Sequence, residues 1–308
     1  MHSLATGMFV AETHTDAVTW FFTIEKMHLE GKTKYQTYQI CDIPRFGKSL
    51  LLDYNIQTSL MDEHIFHECM SQPAMILHPD PKKVLVCGGG EGATLREALR
   101  HRTVESATMV DIDEELIDMV KVHMPEWHQG SFDDPRTTLL HEDARKFLAE
   151  HQGANFDVIL SDLPNPHEGG PAQFLFTKEY FELAAGALAP DGVFAMQAGS
   201  ANMNYPYLMA CCTKTLETVD GFTVVRPYYG IVTTFLQPWG FVLASKQHDP
   251  LALSEADVAA RLEARGVQNR YVTPRYHRSI FTCPDYLLEA IEEHGRVCTD
   301  ADPFFWKA

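Results

Sequence analysis

Apolar and polar positions alternate in short runs over the first 75 residues. Three runs are rich in aromatic and β-branched side chains and predict strands: 20–24, 35–40 and 49–52. Gly31-Lys32 and the segment 44–47 separate these runs, so the pattern predicts a small antiparallel sheet of hairpins. A helical pattern over 62–75 follows, and Pro79-Asp80-Pro81 marks a boundary.

From residue 84 the pattern changes to strands that alternate with helices. The predicted strands cover 84–88, 106–111, 136–141, 156–161, 192–198, 222–229 and 239–245. The predicted helices cover 92–101, 114–123, 143–150, 177–188, 203–217 and 253–265. Alternation at this spacing predicts an α/β, Rossmann-like domain with a mainly parallel sheet. We therefore expect two domains, a β-hairpin domain at 1–75 and a Rossmann-like domain at 76–308.

A glycine turn joins the first of these predicted strands to its helix. The run Val84-Leu-Val-Cys stops at Gly88-Gly-Gly-Glu91-Gly92. Glycines let the backbone approach a ligand, and the start of the helix offers free N–H groups, as in nucleotide-binding α/β units. A carboxylate at Glu91 would repel a phosphate but attract an amine. The turn therefore suits a nucleoside that carries a cation better than a dinucleotide.

Three more acidic residues follow strands of the same predicted sheet. Asp111 ends the second strand, where a carboxylate commonly holds two ribose hydroxyls; the alternative is a helix N-terminus, which describes Asp113. Asp143 follows the third strand and could bind an adenine amino group, cap the next helix, or do both. Asp162 ends the fourth strand before a loop rich in Pro and Gly, so a capping role does not explain it. Residues 162–174 should therefore lie over the ligand pocket.

Charge and composition narrow the classes of partner. The chain has 25 Lys and Arg against 42 Asp and Glu, a formal net charge of −17, which argues against nucleic acid or an anionic membrane as a partner. No window reaches the roughly 18 apolar residues of a spanning helix, and we expect no secretory signal. The seven cysteines show no metal-type spacing, so we expect a reducing cytoplasm and no bound metal.

Together these residues resemble the spermidine synthase family of aminopropyltransferases. The resemblance runs from Lys34-Tyr35-Gln36 to Trp239-Gly240-Phe241, essentially the whole chain. It is strongest with the branch that contains thermospermine synthase and prokaryotic relatives acting on agmatine or longer amines. Its specific motifs are Leu52-Asp53, Ile56-Gln57, Asp62-Glu63, His67-Glu68, the glycine turn, Asp111-Ile112-Asp113, Asp143-Ala144, Asp162, Gly169-Gly170-Pro171 and Gly199.

The resemblance implies a reaction in polyamine biosynthesis. An amine acceptor (putrescine, agmatine or a longer polyamine) would take the aminopropyl group of decarboxylated S-adenosylmethionine, and 5′-methylthioadenosine would leave. Glu91 would hold the amine of this co-substrate, Asp111 its ribose, and Asp162 would be the general base. The other implied contacts are Gln36, Gly88, Gly90, Asp143, Ala144 and Pro171 for the nucleoside, and His67 for the acceptor.

The resemblance also implies a class I methyltransferase-like sheet, no prosthetic group, and a homodimer or homotetramer held partly by N-terminal hairpins. The aromatic segment Trp20-Phe21-Phe22 suits such a contact or a core equally.

Elementary chemistry favours the same reaction. A free alkylamine has a pKa of about 10 and is mostly protonated at neutral pH. A carboxylate such as Asp162 can dock this cation and take its proton as the new C–N bond forms. The alternative is an S-adenosylmethionine-dependent N-methyltransferase of a small amine. Glu91 argues against it, because a glutamate there should repel the carboxylate of the intact nucleoside.

Three positions around the acceptor depart from the family pattern. Asn165 replaces a second aspartate, and Phe66 and Phe235 each replace a tyrosine. Losing a charged hydrogen bond typically costs about 1.5–3 kcal/mol, so either His167 or Glu168 compensates, or the acceptor is not putrescine. Agmatine, a longer polyamine and a less cationic amine all remain candidates. A third hypothesis, a polyamine-binding protein without turnover, follows from Asn165 and is opposed by the intact Asp162.

Overall fold

The computed structural model describes residues 7–306. Six strands form the N-terminal part: β1 (Met8–Thr15), β2 (Val18–Ile24), β3 (Lys26–Lys32), β4 (Thr37–Ile43), β5 (Gly47–Leu52) and β6 (Asn55–Ser59). The first two pair as an antiparallel ribbon, and β3 to β6 form a separate antiparallel sheet. The predicted hairpins are confirmed, but as two sheets. Strands β1, β3 and β6 were not predicted, because polar residues interrupt their apolar runs.

Seven further strands form the central sheet: β7 (Lys83–Gly88), β8 (Ser106–Val110), β9 (Thr137–Leu140), β10 (Phe156–Asp162), β11 (Leu188–Ser200), β12 (Val224–Val232) and β13 (Gln237–Ser245). Their order is β12-β13-β11-β10-β7-β8-β9. Neighbours from β11 to β9 run parallel, and only β13 is antiparallel to both strands beside it. The predicted Rossmann-like, mainly parallel sheet is confirmed.

Ten helices accompany the sheets within residues 7–306: α1 (Glu63–Leu77), α2 (Ala93–Leu99), α3 (Glu114–His123), α4 (Pro125–His128), α5 (Ala144–Glu150), α6 (Lys178–Ala187), α7 (Tyr207–Leu216), α8 (Glu255–Arg265), α9 (Pro274–Ile280) and α10 (Asp285–His294). Each predicted helix is present. The short α4 and the two helices after α8 had no predicted counterpart. None of the ten is long and apolar enough to cross a membrane.

Helix α1 packs against the central sheet rather than against the hairpins alone. Its buried Cys69, Met70 and Ala74 belong to the same core as Val84 of β7 and Phe241 of β13. The boundary predicted after residue 75 assigns this helix to the hairpins. Because its apolar face is covered by the central sheet, we propose a boundary before Glu63 instead.

A buried carboxylate fixes the orientation of α1. Glu68 is 1% exposed and accepts three backbone N–H bonds, from Arg270 at 2.8 Å, Tyr271 at 2.7 Å and Val272 at 2.9 Å. Bonds to an ionised acceptor are among the stronger ones in proteins. They tie the segment between α8 and α9 to the helix that carries several predicted site residues.

We predict that Glu68→Gln lowers the free energy of unfolding by about 2–4 kcal/mol, because an amide cannot accept all three bonds and its NH₂ group faces a donor. Denaturant unfolding measures the change. Glu289→Gln makes the same change at an exposed position of α10 and should stay within about 0.5 kcal/mol of the wild type. Equal effects of the two substitutions would contradict a structural role for Glu68.

Candidate active site

A cavity of about 220 Å³ lies where β7, β8 and β10 end, between the central sheet and the hairpins. The wall includes every predicted site residue except His67: Gln36, Phe66, Gly88, Gly90, Glu91, Asp111, Asp143, Ala144, Asp162, Asn165, Pro171 and Phe235. Residues that are distant in sequence thus meet in one place, as expected for the carboxyl ends of parallel strands.

The glycine turn brings the ends of two strands close together. Gly88 and Gly89 have φ values of +77° and +75°, and the Gly89 N–H donates to the Asp162 carbonyl at 2.8 Å. A Cβ added at position 88 would lie 2.2 Å from that carbonyl oxygen. Only glycine allows this approach, which sets Glu91 beside Asp162.

The carboxylates of Glu91 and Asp162 face each other across a short gap. A carboxylate oxygen of Glu91, a carboxylate oxygen of Asp162 and a ring nitrogen of His67 all lie within 4.8 Å of one another. Burial, and then the negative charge of Glu91, raise the pKa of Asp162 to about 7, although Thr94 donates to its Oδ2 at 2.5 Å. Asp162 can therefore gain or lose a proton near neutral pH.

His67 lies against Glu91 and is not among the residues that line the cavity, and its contact with the acceptor stays a prediction. Its ring is 1% exposed, with Nε2 at 2.7 Å from Glu91 Oε1 and Nδ1 at 2.9 Å from Glu63 Oε2. Burial disfavours its charge, but hydrogen bonds and charges from Glu63 and Glu91 raise the pKa of His67 to about 10. The imidazolium in turn lowers the pKa of Glu91 against the opposing effect of burial.

A protonated histidine with both ring nitrogens engaged has no lone pair for a metal. The grouping of His67 with Glu91 and Asp162 is thus poorly suited to bind a metal ion, although the three residues converge. A small organic cation is the better match for the two carboxylates.

A second layer of charge holds Glu63 in place. Arg96 donates to Glu63 Oε2 at 2.9 Å, to Glu97 Oε1 at 3.1 Å and to the Trp127 carbonyl at 2.6 Å. Its side chain is only 10% exposed. Each buried charge in this chain of contacts therefore has an opposite charge as a neighbour.

One end of the cavity is polar and suits a nucleoside. Asp111 accepts the Asp113 N–H at 2.8 Å, and burial raises the pKa of Asp111 to about 6, with a further contribution from the charges of Asp113 and Glu91. Asp113 caps α3 and also accepts a bond from the Gln36 side chain at 2.9 Å. Asp143 caps α5 through the Lys146 N–H at 2.9 Å while it lines the cavity.

The other end of the cavity is aromatic. The Phe66 and Phe235 rings meet edge to face at 5.7 Å, and Phe235 lies 4.4 Å from the Trp239 ring. Gln197 connects this end to the loop after β10, because its amide nitrogen donates to Asn165 Oδ1 at 3.3 Å and its oxygen accepts from the Trp239 indole at 3.2 Å.

Several cavity residues were not predicted from the sequence, among them Glu12, His14, Gln197 and Trp306. Glu12 accepts the Ile56 N–H at 3.1 Å, and burial raises its pKa to about 7. Val10, Glu12 and His14 lie at every second position of β1 and so share one face of the strand. This spacing is a signal that could have identified Glu12 and His14. Both residues proposed to compensate for Asn165 are exposed, and of the two only His167 lines the cavity.

Comparison with known proteins identifies the family. Residues 63–254 match the family model described as spermine/spermidine synthase domain, and residues 8–59 match the one described as spermidine synthase tetramerisation domain. Polyamine aminopropyltransferase 2 of Hyperthermus butylicus is 40% identical over 298 residues, which cover 96% of each chain. Polyamine aminopropyltransferase 2 of Pseudomonas aeruginosa is 39% identical over 92% of this chain and 81% of its own.

Solved structures agree with these relatives. A spermidine synthase crystallised with the transition-state analogue AdoDATO superimposes with a TM-score of 0.84 at 27% identity, over 95% of this chain and 98% of its own. The spermidine synthase of Thermotoga maritima gives a TM-score of 0.83 with the same coverage. The chain therefore belongs to the spermidine synthase family and is a transferase of the polyamine aminopropyltransferase type.

Proposed function

We propose that this protein transfers the aminopropyl group of decarboxylated S-adenosylmethionine to an amine acceptor in polyamine biosynthesis and releases 5′-methylthioadenosine. The observation that carries the proposal is the pair Glu91 and Asp162 in one cavity with opposite pKa shifts. Glu91 stays ionised and can hold a cation, while Asp162 can exchange a proton near neutral pH. Two carboxylates in different environments serve two different tasks.

The polar end of the cavity would bind the donor. Glu91 would pair with the terminal amine, and Asp111 would accept from the ribose hydroxyls. The remaining nucleoside contacts would come from Gln36, Gly88, Gly90, Asp143, Ala144 and Pro171, all of which line the cavity. His67 would act indirectly, by keeping Glu91 charged and in position.

The chemical step needs little beyond positioning and one proton acceptor. The lone pair of the amine nitrogen attacks the aminopropyl carbon next to sulfur, and the C–S bond breaks with its electron pair going to sulfur. The sulfonium becomes a neutral thioether, and Asp162 takes the proton that the nitrogen loses. Holding the nitrogen and the carbon in line should supply much of the acceleration.

The aromatic end of the cavity would bind the acceptor. Phe66 and Phe235 offer ring faces and edges in place of hydroxyls, and aromatic rings attract alkylammonium groups. Glu12 lines the same cavity and supplies a carboxyl group from the hairpin side, whereas Asn165 in the loop after β10 replaces one. These features support agmatine or a polyamine longer than putrescine, with its alkyl part along the rings and a second cation near Glu12.

The N-methyltransferase alternative is not favoured. The relatives named above are aminopropyltransferases. An ionised Glu91 would also lie next to the carboxylate of intact S-adenosylmethionine. A purely binding role without turnover is likewise not retained, since the family is one of transferases and Asp162 is in place.

We further propose a homodimer or homotetramer. The β1–β2 ribbon exposes Phe9 (55%) and Phe21 (62%), whose rings touch at 5.5 Å, whereas Phe22 of the same aromatic segment is buried. An exposed apolar pair of this kind suits a contact between subunits. All seven cysteines are free thiols, which supports the cytoplasm as the compartment. The expected absence of nucleic acid and membrane partners remains a prediction from net charge.

We predict that Asp162→Asn lowers kcat by about 10²–10⁴-fold, because an amide cannot accept the proton. Release of 5′-methylthioadenosine from the donor with a panel of amines measures turnover, and calorimetry should show donor binding within about threefold of the wild type. If no amine supports release by the wild-type protein, the proposed reaction is wrong.

We predict that Glu91→Gln weakens the binding of decarboxylated S-adenosylmethionine by about ten- to a hundredfold. The same substitution should weaken the binding of intact S-adenosylmethionine much less. The first ligand loses a charge pair, and the second is relieved of a repulsion. Calorimetry with both nucleosides measures this. Asp111→Asn is the matched control. Both ligands carry the ribose, so this substitution should weaken the binding of both equally. An equal loss with Glu91→Gln would contradict the amine-binding role.

We predict that kcat/KM rises with pH up to about 7, because the raised pKa of Asp162 leaves part of the free protein protonated below that value. The positive charge of a bound sulfonium should move the inflection of kcat, which reports the substrate complex, to lower pH. A pH profile of kcat/KM measures this rise below about pH 7, and the residual activity of Asp162→Asn should not show it. The same rise in the wild type and in Asp162→Asn would show that a group other than Asp162 causes it.

A further inference from the structure

The segment after α10 crosses the face of the central domain and is fixed at successive points. The Cys298 N–H donates to Thr215 Oγ1 of α7 at 2.9 Å. The Cys298 carbonyl accepts from the Lys178 N–H, at the start of α6, at 2.8 Å. The segment 296–306 is thus attached to two helices before it reaches the cavity.

Asp300 provides the strongest of these attachments. Its two carboxylate oxygens accept from Arg145 at 2.8 and 2.5 Å, and Oδ1 also accepts from Thr177 Oγ1 at 2.8 Å. Its own N–H donates to Glu179 Oε2 at 3.0 Å. A bidentate arginine–carboxylate pair gives a well-defined geometry. The position of the residues that follow is therefore well determined.

The segment ends with Trp306 in the cavity wall. The backbone N–H of Trp306 donates to the carbonyl of Pro166, in the loop after β10, at 2.7 Å. The indole is 8% exposed and lies 4.7 Å from the Tyr205 ring and 5.8 Å from the His14 ring. It therefore joins the hairpin domain, the central domain and the loop over the cavity.

Gly199, which follows Met196-Gln197-Ala198, makes room for this indole. Its φ is +72°, and a Cβ at that position would lie 2.8 Å from Trp306 Cζ3. The glycine at the end of β11 is thus needed for its backbone angle and for the close approach of the ring. Trp306 therefore supplies a physical reason for a glycine that the family pattern contains at this position.

A series of ring contacts connects Trp306 to the aromatic end of the cavity. It is 6.5 Å from Trp239, which is 4.4 Å from Phe235, and Phe235 is 5.7 Å from Phe66. Phe66 in turn lies 5.2 Å from His67, the partner of Glu91. The indole is the last member of this series, at the opposite end from Glu91.

We infer that Trp306 is a specificity-determining residue, the end wall that limits how long an amine acceptor can be. This inference rests on the proposed function. An acceptor that places its nucleophilic nitrogen at Asp162 and its alkyl chain along Phe66 and Phe235 meets the Trp306 indole with its far end. The donor contacts lie at the polar end and do not involve this residue.

Competition among amines tests the inference. Turnover is measured with decarboxylated S-adenosylmethionine and amines of increasing length, from diaminopropane to tetraamines, for the wild type, Trp306→Ala and Trp306→Phe. Phe305→Ala is the matched control, because it removes an aromatic ring from the same segment at a position outside the cavity wall. Thermal unfolding and calorimetry with the donor check that each variant is folded and binds the nucleoside.

We expect Trp306→Ala to change the ratio of kcat/KM between the longest and the shortest accepted amine by about ten- to a hundredfold in favour of the longer one. Trp306→Phe should give a smaller change in the same direction, and Phe305→Ala should leave the ratio as in the wild type. An unchanged ratio in a folded, donor-binding Trp306→Ala protein overturns the inference while the proposed function stands. Absence of turnover with every amine in the wild type overturns the proposed function itself.

Discussion

The site depends on one buried ion pair, that of the His67 imidazolium with Glu91. A histidine that is 1% exposed would ordinarily be neutral, yet carboxylates on both ring nitrogens raise its pKa to about 10. Glu91 is thereby kept ionised in a place where burial alone would favour its protonated form. Asp162, which has a hydroxyl donor but no such cation in contact, shows the opposite shift. The difference between two neighbouring carboxyl groups thus originates in a residue outside the cavity.

Helix α1 allows this arrangement because three of its consecutive residues contact three different parts of the structure. Successive side chains on a helix are about 100° apart, so neighbours in sequence point in different directions. Phe66 faces the cavity, His67 lies between Glu63 and Glu91, and Glu68 binds three backbone N–H groups of the segment before α9. The helix therefore couples the stability of the domain to the geometry of its charged site.

The amino-acid pattern was sufficient to predict the parallel sheet, the glycine turn and most of the cavity. Strand ends are local features, and strands that run parallel bring their ends together, so Glu91, Asp111, Asp143 and Asp162 could be grouped from the sequence alone. Trp306 could not be placed in this way, because its position results from tertiary attachments of an irregular segment.

Two assignments show where local patterns were insufficient. The motif His67-Glu68 does not state which partners the imidazole has, and the structure places the ring between Glu63 and Glu91. The division after residue 75 followed composition, whereas α1 is held by core residues that come later in the chain. In both cases the missing information was a contact between segments far apart in sequence.

The backbone contact between Gly89 and the Asp162 carbonyl has a consequence for how such enzymes diversify. The spacing of Glu91 and Asp162 is set by main-chain atoms, which substitutions of side chains elsewhere leave in place. Phe66, Asn165 and Phe235 come from three other parts of the chain and can vary separately. Under the proposed function, new amine preferences can therefore arise by exchanging these side chains, while the spacing of Glu91 and Asp162 persists.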